Sequence, residues 1–381
     1  RFQLLPSESQ GANPRSSKSS DMARLLISSL ILAVHGSEIQ VVYNDYSFAM
    51  VNLASGLGEC WGDSRFGGDC SSVDFTGVTK VSANARSMAA LTSSGGVCWG
   101  PGGLSNGGDC SGVALSGMKD LYYTDFSFAA VDPVEGRGVC WGNYRYGGNC
   151  TTIDFSHVTQ IAQNRFAYAA FSASTGTMQC WGSDRYGGSV AAGGGACAAF
   201  TGTSLDVSGT TQIIAGKSAF VALNKNAGTI TCWGLSSQGG DCSSVTLTGI
   251  TDVYTNGVAF LALNKNTGSG QCWGNTAGGD CSTIDFSGEV QIFSTQSAFL
   301  ALKPGSGQCW GNTLRVATVA AWTSVVSHGS TATVLPFFSW MTPSFLSAGV
   351  DLAMEATGAP VEAFKALTST PRVELSLPST R

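Results

Sequence analysis

Seven short stretches of the chain alternate large and small apolar residues, and each stretch precedes a Cys-Trp-Gly tripeptide. The large residues of these stretches are Phe48, Met88, Phe128, Tyr168, Phe220, Phe260 and Phe299. The residues two positions further along are Met50, Ala90, Ala130, Ala170, Ala222, Ala262 and Ala301. A period of two with a large residue beside a small one is typical of a strand packed on a neighbouring sheet. The pattern therefore predicts one such β-strand in every stretch.

The Cys-Trp-Gly tripeptide recurs roughly every 40 residues, a spacing typical of repeat architectures. Its seven copies begin at Cys60, Cys98, Cys140, Cys180, Cys232, Cys272 and Cys309. A Gly-Gly turn follows each of the first six copies, often as Gly-Gly-Asp-Cys, as at residues 67–70. Paired glycines allow positive φ angles, and an Asp side chain caps turn amides. Each unit then runs through a segment such as residues 73–78 toward a short strand such as residues 41–43.

Units of this size with several short strands and no helical pattern cannot bury both of their faces alone. Stacked around an axis, they can. The sequence therefore predicts an all-β fold, a β-propeller of seven blades of about 40 residues each, over residues 37–313. A β-solenoid is the alternative fold.

The phrase Ala-Phe-x-Ala-Leu followed by Trp-Gly and Gly-Gly-Asp resembles the repeats of the regulator of chromosome condensation superfamily. It is most similar to the short-repeat subgroup, which includes a secreted bacterial β-lactamase-inhibitory protein. The resemblance covers residues 38–311 and implies a seven-bladed propeller. It does not imply one function, because the superfamily includes exchange factors, inhibitors and scaffolds. No exchange-factor residue of the family has a match here.

Cysteines occur in a regular pattern, one before each Trp and one after the Gly-Gly turn. The pairs are Cys60/Cys70, Cys98/Cys110, Cys140/Cys150, Cys180/Cys197, Cys232/Cys242 and Cys272/Cys281, and Cys309 is left over. We predict a disulfide in each unit, worth roughly 2–3 kcal/mol in the chain-entropy model. Bridges between units remain the alternative. Zinc sites are not favoured, because Cys-x-x-Cys motifs and histidine partners are absent.

The two ends of the chain differ from the repeats. Residues 1–21 are interpreted as an untranslated or disordered leader, and residues 22–36 as a signal peptide with cleavage after Gly36. The apolar run at residues 25–34 is too short to span a bilayer. These features predict a secreted, extracellular protein without a membrane span.

The repeat stops abruptly after Thr313. Read one base out of frame, the codons that residues 314–323 permit include a set spelling Ala-Gly-Gly-Asp-Cys-Ser-Ser-Val-Asp-Phe, close to the preceding unit. We therefore interpret residues 314–381 as a frameshifted or unstructured tail, with a genuine tail as the alternative.

The charge and the composition limit the classes of function that the chain can have. A formal net charge of −5 argues against a nucleic-acid-binding surface. Only three histidines and 12% charged residues are present, and no acid, base and nucleophile converge, so we predict no catalytic residue, metal or cofactor. His157 is expected in a turn between strands. Asp69, Asp109, Asp241 and Asp280 are interpreted as turn caps, because calcium loops need alternating acids.

The turn after Trp-Gly differs from one unit to the next and supplies the candidate binding residues. These residues are Arg65, Phe66, Tyr144, Arg145, Tyr146, Arg185 and Tyr186. Arg and Tyr are typical interface anchors, although the aromatic rings could instead pack on an adjacent blade. The seven recurrent tryptophans could stack sugars, but packing between blades is favoured. An insertion at residues 189–195 lengthens the fourth unit.

We therefore predict a secreted, disulfide-clipped propeller that is not an enzyme and that binds another protein. An extracellular carbohydrate-binding protein is the first alternative. A structural component of the cell surface or wall is the second.

Overall fold

A computed structural model of the 381-residue chain describes residues 39–102, 105–189, 194–197, 205–276, 278, 280–304 and 306–312. The predicted leader, signal peptide and frameshifted tail lie outside the described residues, as does most of the insertion in the fourth unit. The statements that follow concern the described residues.

The fold is an all-β propeller with seven antiparallel blades, which confirms the predicted fold class over the solenoid alternative. Blade 1 contains β1 (Ile39–Tyr43), β2 (Ser47–Asn52) and β3 (Leu57–Gly62), blade 2 contains β4 (Val78–Ala83), β5 (Met88–Thr92) and β6 (Gly95–Trp99), and blade 3 contains β7 (Asp120–Tyr123), β8 (Ser127–Asp132) and β9 (Arg137–Gly142). Blade 4 contains β10 (Gln160–Gln163), β11 (Ala167–Ser172), β12 (Thr177–Gly182) and the short β13 (Gly195–Ala196). Blade 5 contains β14 (Gln212–Ala215), β15 (Ala219–Asn224) and β16 (Thr229–Gly234), blade 6 contains β17 (Asp252–Thr255), β18 (Ala259–Asn264) and β19 (Ser269–Gly274), and blade 7 contains β20 (Gln291–Ser294), β21 (Ala298–Lys303) and β22 (Ser306–Gly311).

Each blade is a meander, in which consecutive strands pair in sequence order. The first strands of neighbouring blades contact one another, from β1 with β4 onward to β14 with β17. They therefore line the axis. The third strand lies outermost in six blades, and in blade 4 the short β13 pairs with the outer edge of β12. Single-turn 3₁₀ helices follow the third strand in four blades, at Ser64–Phe66, Tyr144–Tyr146, Asp184–Tyr186 and Ser236–Gln238.

The hydrophobic core lies between the blades. Met88, Ala90 and Trp99 of blade 2 form one buried cluster with Ala49 and Val51 of blade 1. The large residue of each second strand stands directly opposite the tryptophan of the third strand, as in Phe220 and Trp233, whose ring centroids are 5.2 Å apart. The large–small alternation in the sequence thus reflects strands that are covered on both faces.

Six of the recurrent tryptophans are buried: Trp99, Trp141, Trp181, Trp233, Trp273 and Trp310. Four of them donate an Nε1–H bond to the first glycine of the Gly-Gly turn in the preceding blade, as from Trp233 to Gly187 O at 3.0 Å. Gly239, which accepts from Trp273, has a φ of 95°, and a Cβ there would lie 2.4 Å from the Phe260 ring. Only glycine therefore fits at this position against the next blade. The buried tryptophans pack between blades.

Six disulfides join the third strand of a blade to the turn that follows it. They are Cys60–Cys70, Cys98–Cys110, Cys140–Cys150, Cys180–Cys197, Cys232–Cys242 and Cys272–Cys281. Every pair lies within one unit, so the alternative of bridges between units is not what the structure shows. Cys309 of blade 7 is a free thiol.

Candidate functional site

Two turns of each blade meet at one end of the propeller. In blade 1 the backbone N–H of Asp63 donates to Tyr46 O at 3.0 Å, and the Ser47 hydroxyl donates to Phe66 O at 2.7 Å. The turn between the first two strands is thereby fixed to the 3₁₀ turn after the third strand. The same backbone bond recurs in blades 3 to 7. We call the surface formed by these paired turns the turn face.

The turn face of blades 1, 3 and 4 carries six aromatic side chains, a stacked pair in blade 1 and four rings in contact within and between blades 3 and 4. We call this set the aromatic arc; its members are Tyr46, Phe66, Phe126, Tyr146, Phe166 and Tyr186. Ring centroids are 4.3 Å apart for Tyr46 and Phe66, and 4.4 Å apart for Phe166 and Tyr186. Tyr146 links blades 3 and 4 through Phe166 at 5.3 Å.

Five exposed arginines lie over aromatic rings on this face. The guanidinium carbon lies 5.5 Å from the ring centroid for Arg65 on Phe66, 5.7 Å for Arg86 on Phe126, 5.6 Å for Arg145 on Tyr144, 5.2 Å for Arg165 on Phe166 and 5.8 Å for Arg185 on Tyr186. Stacking of this kind is favourable because the ring quadrupole attracts the cation. Four of the arginine side chains are thereby held against the arc, and Arg145 is held against the neighbouring Tyr144.

All seven residues singled out from the sequence lie on the turn face. Phe66, Tyr146 and Tyr186 are half-buried members of the arc, so the packing alternative describes these three rings. The other four side chains are exposed, and Tyr144 is 69% exposed. Binding by these residues remains a prediction.

Sequence reasoning missed the other half of the site. Tyr46, Phe126, Phe166 and their neighbours Arg86 and Arg165 lie in the turn between the first and second strands, and this turn was not singled out. A signal was present, because the position of Tyr46 varies from blade to blade within a regular repeat. Its occupants are Tyr46, Arg86, Phe126, Phe166, Ser218, Val258 and Ser297.

The residue immediately before the position of Tyr46, in the same turn, lies toward the propeller axis. Its occupants are Asp45, Ala85, Asp125, Arg165, Lys217, Gly257 and Gln296. In blades 3 to 6 the backbone N–H of one such residue donates to the carbonyl of the next, from Asp125 to Arg165 at 2.9 Å and from Arg165 to Lys217 at 3.2 Å. These turns are therefore joined to one another around the propeller axis. They line a cavity of about 280 Å³, which we call the mouth.

Two cationic side chains in this mouth have polar partners. An Arg165 guanidinium nitrogen lies 2.6 Å from an Asp125 carboxylate oxygen, and the Lys217 ammonium donates to Gln296 Oε1 at 3.1 Å. Burial raises the pKa of Asp125 above its ordinary value, and the bond from Arg165 opposes that rise.

The recurrent aspartates serve the glycine turns. The Asp69 carboxylate accepts from the backbone N–H of Ser71 at 3.0 Å, and Asp109, Asp241 and Asp280 do the same in their own blades. These bonds lower the pKa of each carboxyl below its ordinary value. Within the described ranges, no cluster of three or more His, Cys, Asp or Glu side chains is placed to hold a metal ion.

No protein-family model and no curated protein matches the chain. Among solved structures, the ectodomain of the receptor kinase CR4 from Physcomitrella patens is 19% identical, with a TM-score of 0.40 over 72% of each chain. The CRINKLY WD40 ectodomain of the Arabidopsis thaliana receptor kinase ACR4 is 16% identical, with a TM-score of 0.39 over 73% of this chain and 97% of that one. Prp20p from Saccharomyces cerevisiae is 14% identical, with a TM-score of 0.39 over 72% of each chain.

Similarity at these sequence identities and TM-scores supports no inference about function. The chain is a propeller built from sequence repeats, and membership of the short-repeat subgroup stays a prediction.

Proposed function

We propose that the protein is a secreted recognition module that binds another protein through the turn face of blades 1 to 4. The observation that supports this proposal is that the turn-face residues differ between the two halves of the ring, although the blades repeat regularly. Blades 1 to 4 present arginine and aromatic side chains at the turn positions where blades 5 to 7 present Ser218, Val258 and Ser297. A position that serves only the fold would have no reason to differ between the two halves of the ring. Tyr and Arg are the residues most enriched among interface hot spots.

The disulfides support an extracellular setting. Structural disulfides persist in oxidising compartments and are rare in the cytosol. Six of them in one chain, one per blade in blades 1 to 6, agree with the signal peptide predicted at residues 22–36. A search of the described residues finds no helix with the length and hydropathy for a bilayer crossing.

The two alternatives fit the surface less well. A sugar-binding site needs an open aromatic face, but six of the seven recurrent tryptophans are buried, and guanidinium groups lie over Phe66, Phe126, Phe166 and Tyr186. A purely structural wall component needs no one-sided set of exposed arginines and tyrosines.

The test removes exposed rings from the turn face and compares a matched change on the opposite face. The double variant Tyr46→Ser and Tyr144→Ser alters side chains that are 48% and 69% exposed. The control, Leu57→Ser and Val134→Ser, alters side chains that are 72% and 85% exposed at the other end of the same two blades. Both proteins are used as bait in crosslinking pull-downs from culture medium and surface extract.

We expect a stoichiometric partner that the wild type and the control retain and that the turn-face variant loses by tenfold or more. Equal capture by the two variants, or no stoichiometric partner for the wild type, would contradict the proposal. Binding on a glycan array without a protein partner would favour the carbohydrate alternative instead.

A further inference from the structure

We infer that the partner segment that docks on the aromatic arc is an acidic polypeptide, whose carboxylates bind the stacked arginines. This inference rests on the proposed function and specifies the chemistry of its partner. It depends on three observations: the guanidinium groups lie over aromatic rings, with the guanidinium carbon 5.2 to 5.8 Å from the ring centroid, three of them make no ion pair among the described residues, and arginines outnumber aspartates in these turns.

Stacking prepares an arginine for carboxylate recognition. A guanidinium group held over a ring keeps its plane fixed and leaves its N–H edge free to point outward. That edge matches a carboxylate in a bidentate pair, and such charge-assisted pairs are among the strongest hydrogen bonds. Less side-chain entropy is lost on binding, because the ring already restrains the side chain.

Three of the five arginines have this edge available. Arg65 pairs with Asp63 at 2.7 Å, and Arg165 pairs with Asp125. Among the described residues, Arg86, Arg145 and Arg185 make no ion pair, and the Arg145 side chain is held by a bond from Nε to the Tyr144 hydroxyl at 3.0 Å.

The local charge is opposite in sign to that of the whole protein. The chain has a net charge of −5, whereas the turns of blades 1 to 4 hold five arginines and four aspartates, of which two on each side are paired with each other. The other carboxylates of these turns are Asp45 and Asp184, and Asp184 already accepts from the backbone N–H of Arg185 at 2.7 Å. Three arginines without an ion pair, against two such aspartates, leave a small excess of available positive charge that complements an acidic segment.

A polypeptide fits this surface better than an acidic polysaccharide. Tyr46 and Tyr144 are exposed tyrosines on the same face as the arginines, so they add apolar contact area between the charged positions. Apolar side chains that alternate with Glu or Asp would use both features. A uniformly hydrophilic uronate chain would use only the arginines.

The test uses the full chain and three defined probes in fluorescence anisotropy. The probes are a 12-residue Glu/Leu peptide, the same peptide with Gln in place of Glu, and labelled polygalacturonate. The variants are Arg86→Lys, Arg145→Lys and Arg185→Lys combined, and the corresponding triple alanine. The control is Lys119→Ala with Lys225→Ala, which removes exposed cations from the opposite face.

We expect the Glu peptide to bind the wild type at least tenfold more tightly than the Gln peptide does, and more weakly as salt is raised. Both triple variants should lose at least tenfold, because lysine keeps the charge but not the planar edge. The opposite-face control should bind as the wild type does.

Equal affinity for the Glu and Gln peptides, or equal loss in the control, would overturn the inference. Tighter binding of polygalacturonate than of the Glu peptide would assign the site to an acidic polysaccharide and overturn it as well. If the pull-down partner is lost with the tyrosine variant but kept with the alanine triple, the proposed function stands and the acidic partner is wrong.

Discussion

At the scale of single residues, one position departs from the rule that the repeat sets. The turn that leads into the first strand of the next blade usually holds a glycine with positive φ, as at Gly77 with φ 70° and Gly249 with φ 67°. Blade 3 has His157 there instead, with φ 61°. The sequence predicted a turn histidine, but a one-chain pattern does not show that this backbone is left-handed. A side chain in that conformation costs roughly 1–2 kcal/mol, because its Cβ crowds the following carbonyl.

Replacing His157 by glycine should therefore raise the thermal midpoint. The free energy of unfolding should rise by at most about 1 kcal/mol, because glycine also adds entropy to the unfolded chain. The reciprocal variant Gly77→Ala should lower the midpoint by a similar amount, although a Cβ at Gly77 has no neighbour within 4 Å. Thermal unfolding followed by circular dichroism measures both. Opposite signs support the backbone explanation, and a loss in both variants would show that His157 makes contacts that matter more.

At the scale of structural elements, the blade junction offers a matched pair of tryptophans. Trp233 and Trp181 are both fully buried and both stack on the large residue opposite them. Trp233 Nε1 donates to Gly187 O, whereas Trp181 Nε1 has no hydrogen-bond partner among the described residues. Replacement by phenylalanine removes similar ring volume at each site, but only at Trp233 does it break a bond between blades.

Trp233→Phe should therefore destabilise the protein by about 1–2 kcal/mol more than Trp181→Phe. Urea unfolding with a common m-value gives the difference directly. Equal losses would mean that ring packing alone, without the Nε1–H bond, holds the blades together.

The glycine turns are the second structural element with a testable property, the pH dependence of stability. Because the pKa values of Asp69, Asp109, Asp241 and Asp280 are lowered by backbone N–H donors, these carboxylates contribute stability above the ordinary value of 3.8. That contribution is lost as the pH falls through the lower, folded-state pKa values. The thermal midpoint should therefore drop between pH 5 and pH 2, with part of the drop due to these turns.

The combined Asp→Asn variant at these four positions is the control. Blade 3 has Asn149 at this position, and its side chain still accepts from Thr151 N at 3.2 Å, so asparagine is compatible with the turn. The variant should be slightly less stable than the wild type at pH 7, and this difference should shrink as the pH falls through the folded-state pKa values. A difference that stays constant as the pH falls would show that something other than carboxylate ionisation is lost.

These elements also show how far the sequence could be interpreted. Features that recur in every unit, such as the buried Phe220–Trp233 column and the cysteine spacing, predict strands, junctions and bridges, because repetition averages out local exceptions. The aromatic arc does not recur, and it joins turns such as those of Tyr46 and Phe66 that are distant in sequence. Its formation depends on hydrogen bonds between the two turns, which no periodicity records.

At the scale of the whole molecule, the pairing of cysteines can be checked in one measurement. The sequence has 13 cysteines, and six disulfides leave only Cys309 as a thiol. Cys309 is half-buried on β22, and burial raises the pKa of its thiol. Since the thiolate is the reactive species, alkylation of the native protein at neutral pH should be slow.

Intact-mass analysis after alkylation should show one adduct when the protein is denatured without reduction, and 13 when it is reduced first. In the native state the single adduct should form faster as the pH is raised, because more thiolate is then present. Cys309→Ala is the control and should show no adduct before reduction and an unchanged melting temperature. Three or more adducts before reduction would mean that a blade lacks its bridge. None, with a doubled mass, would mean that Cys309 is oxidised to a second copy of the chain, which would place the edge of blade 7 at an interface.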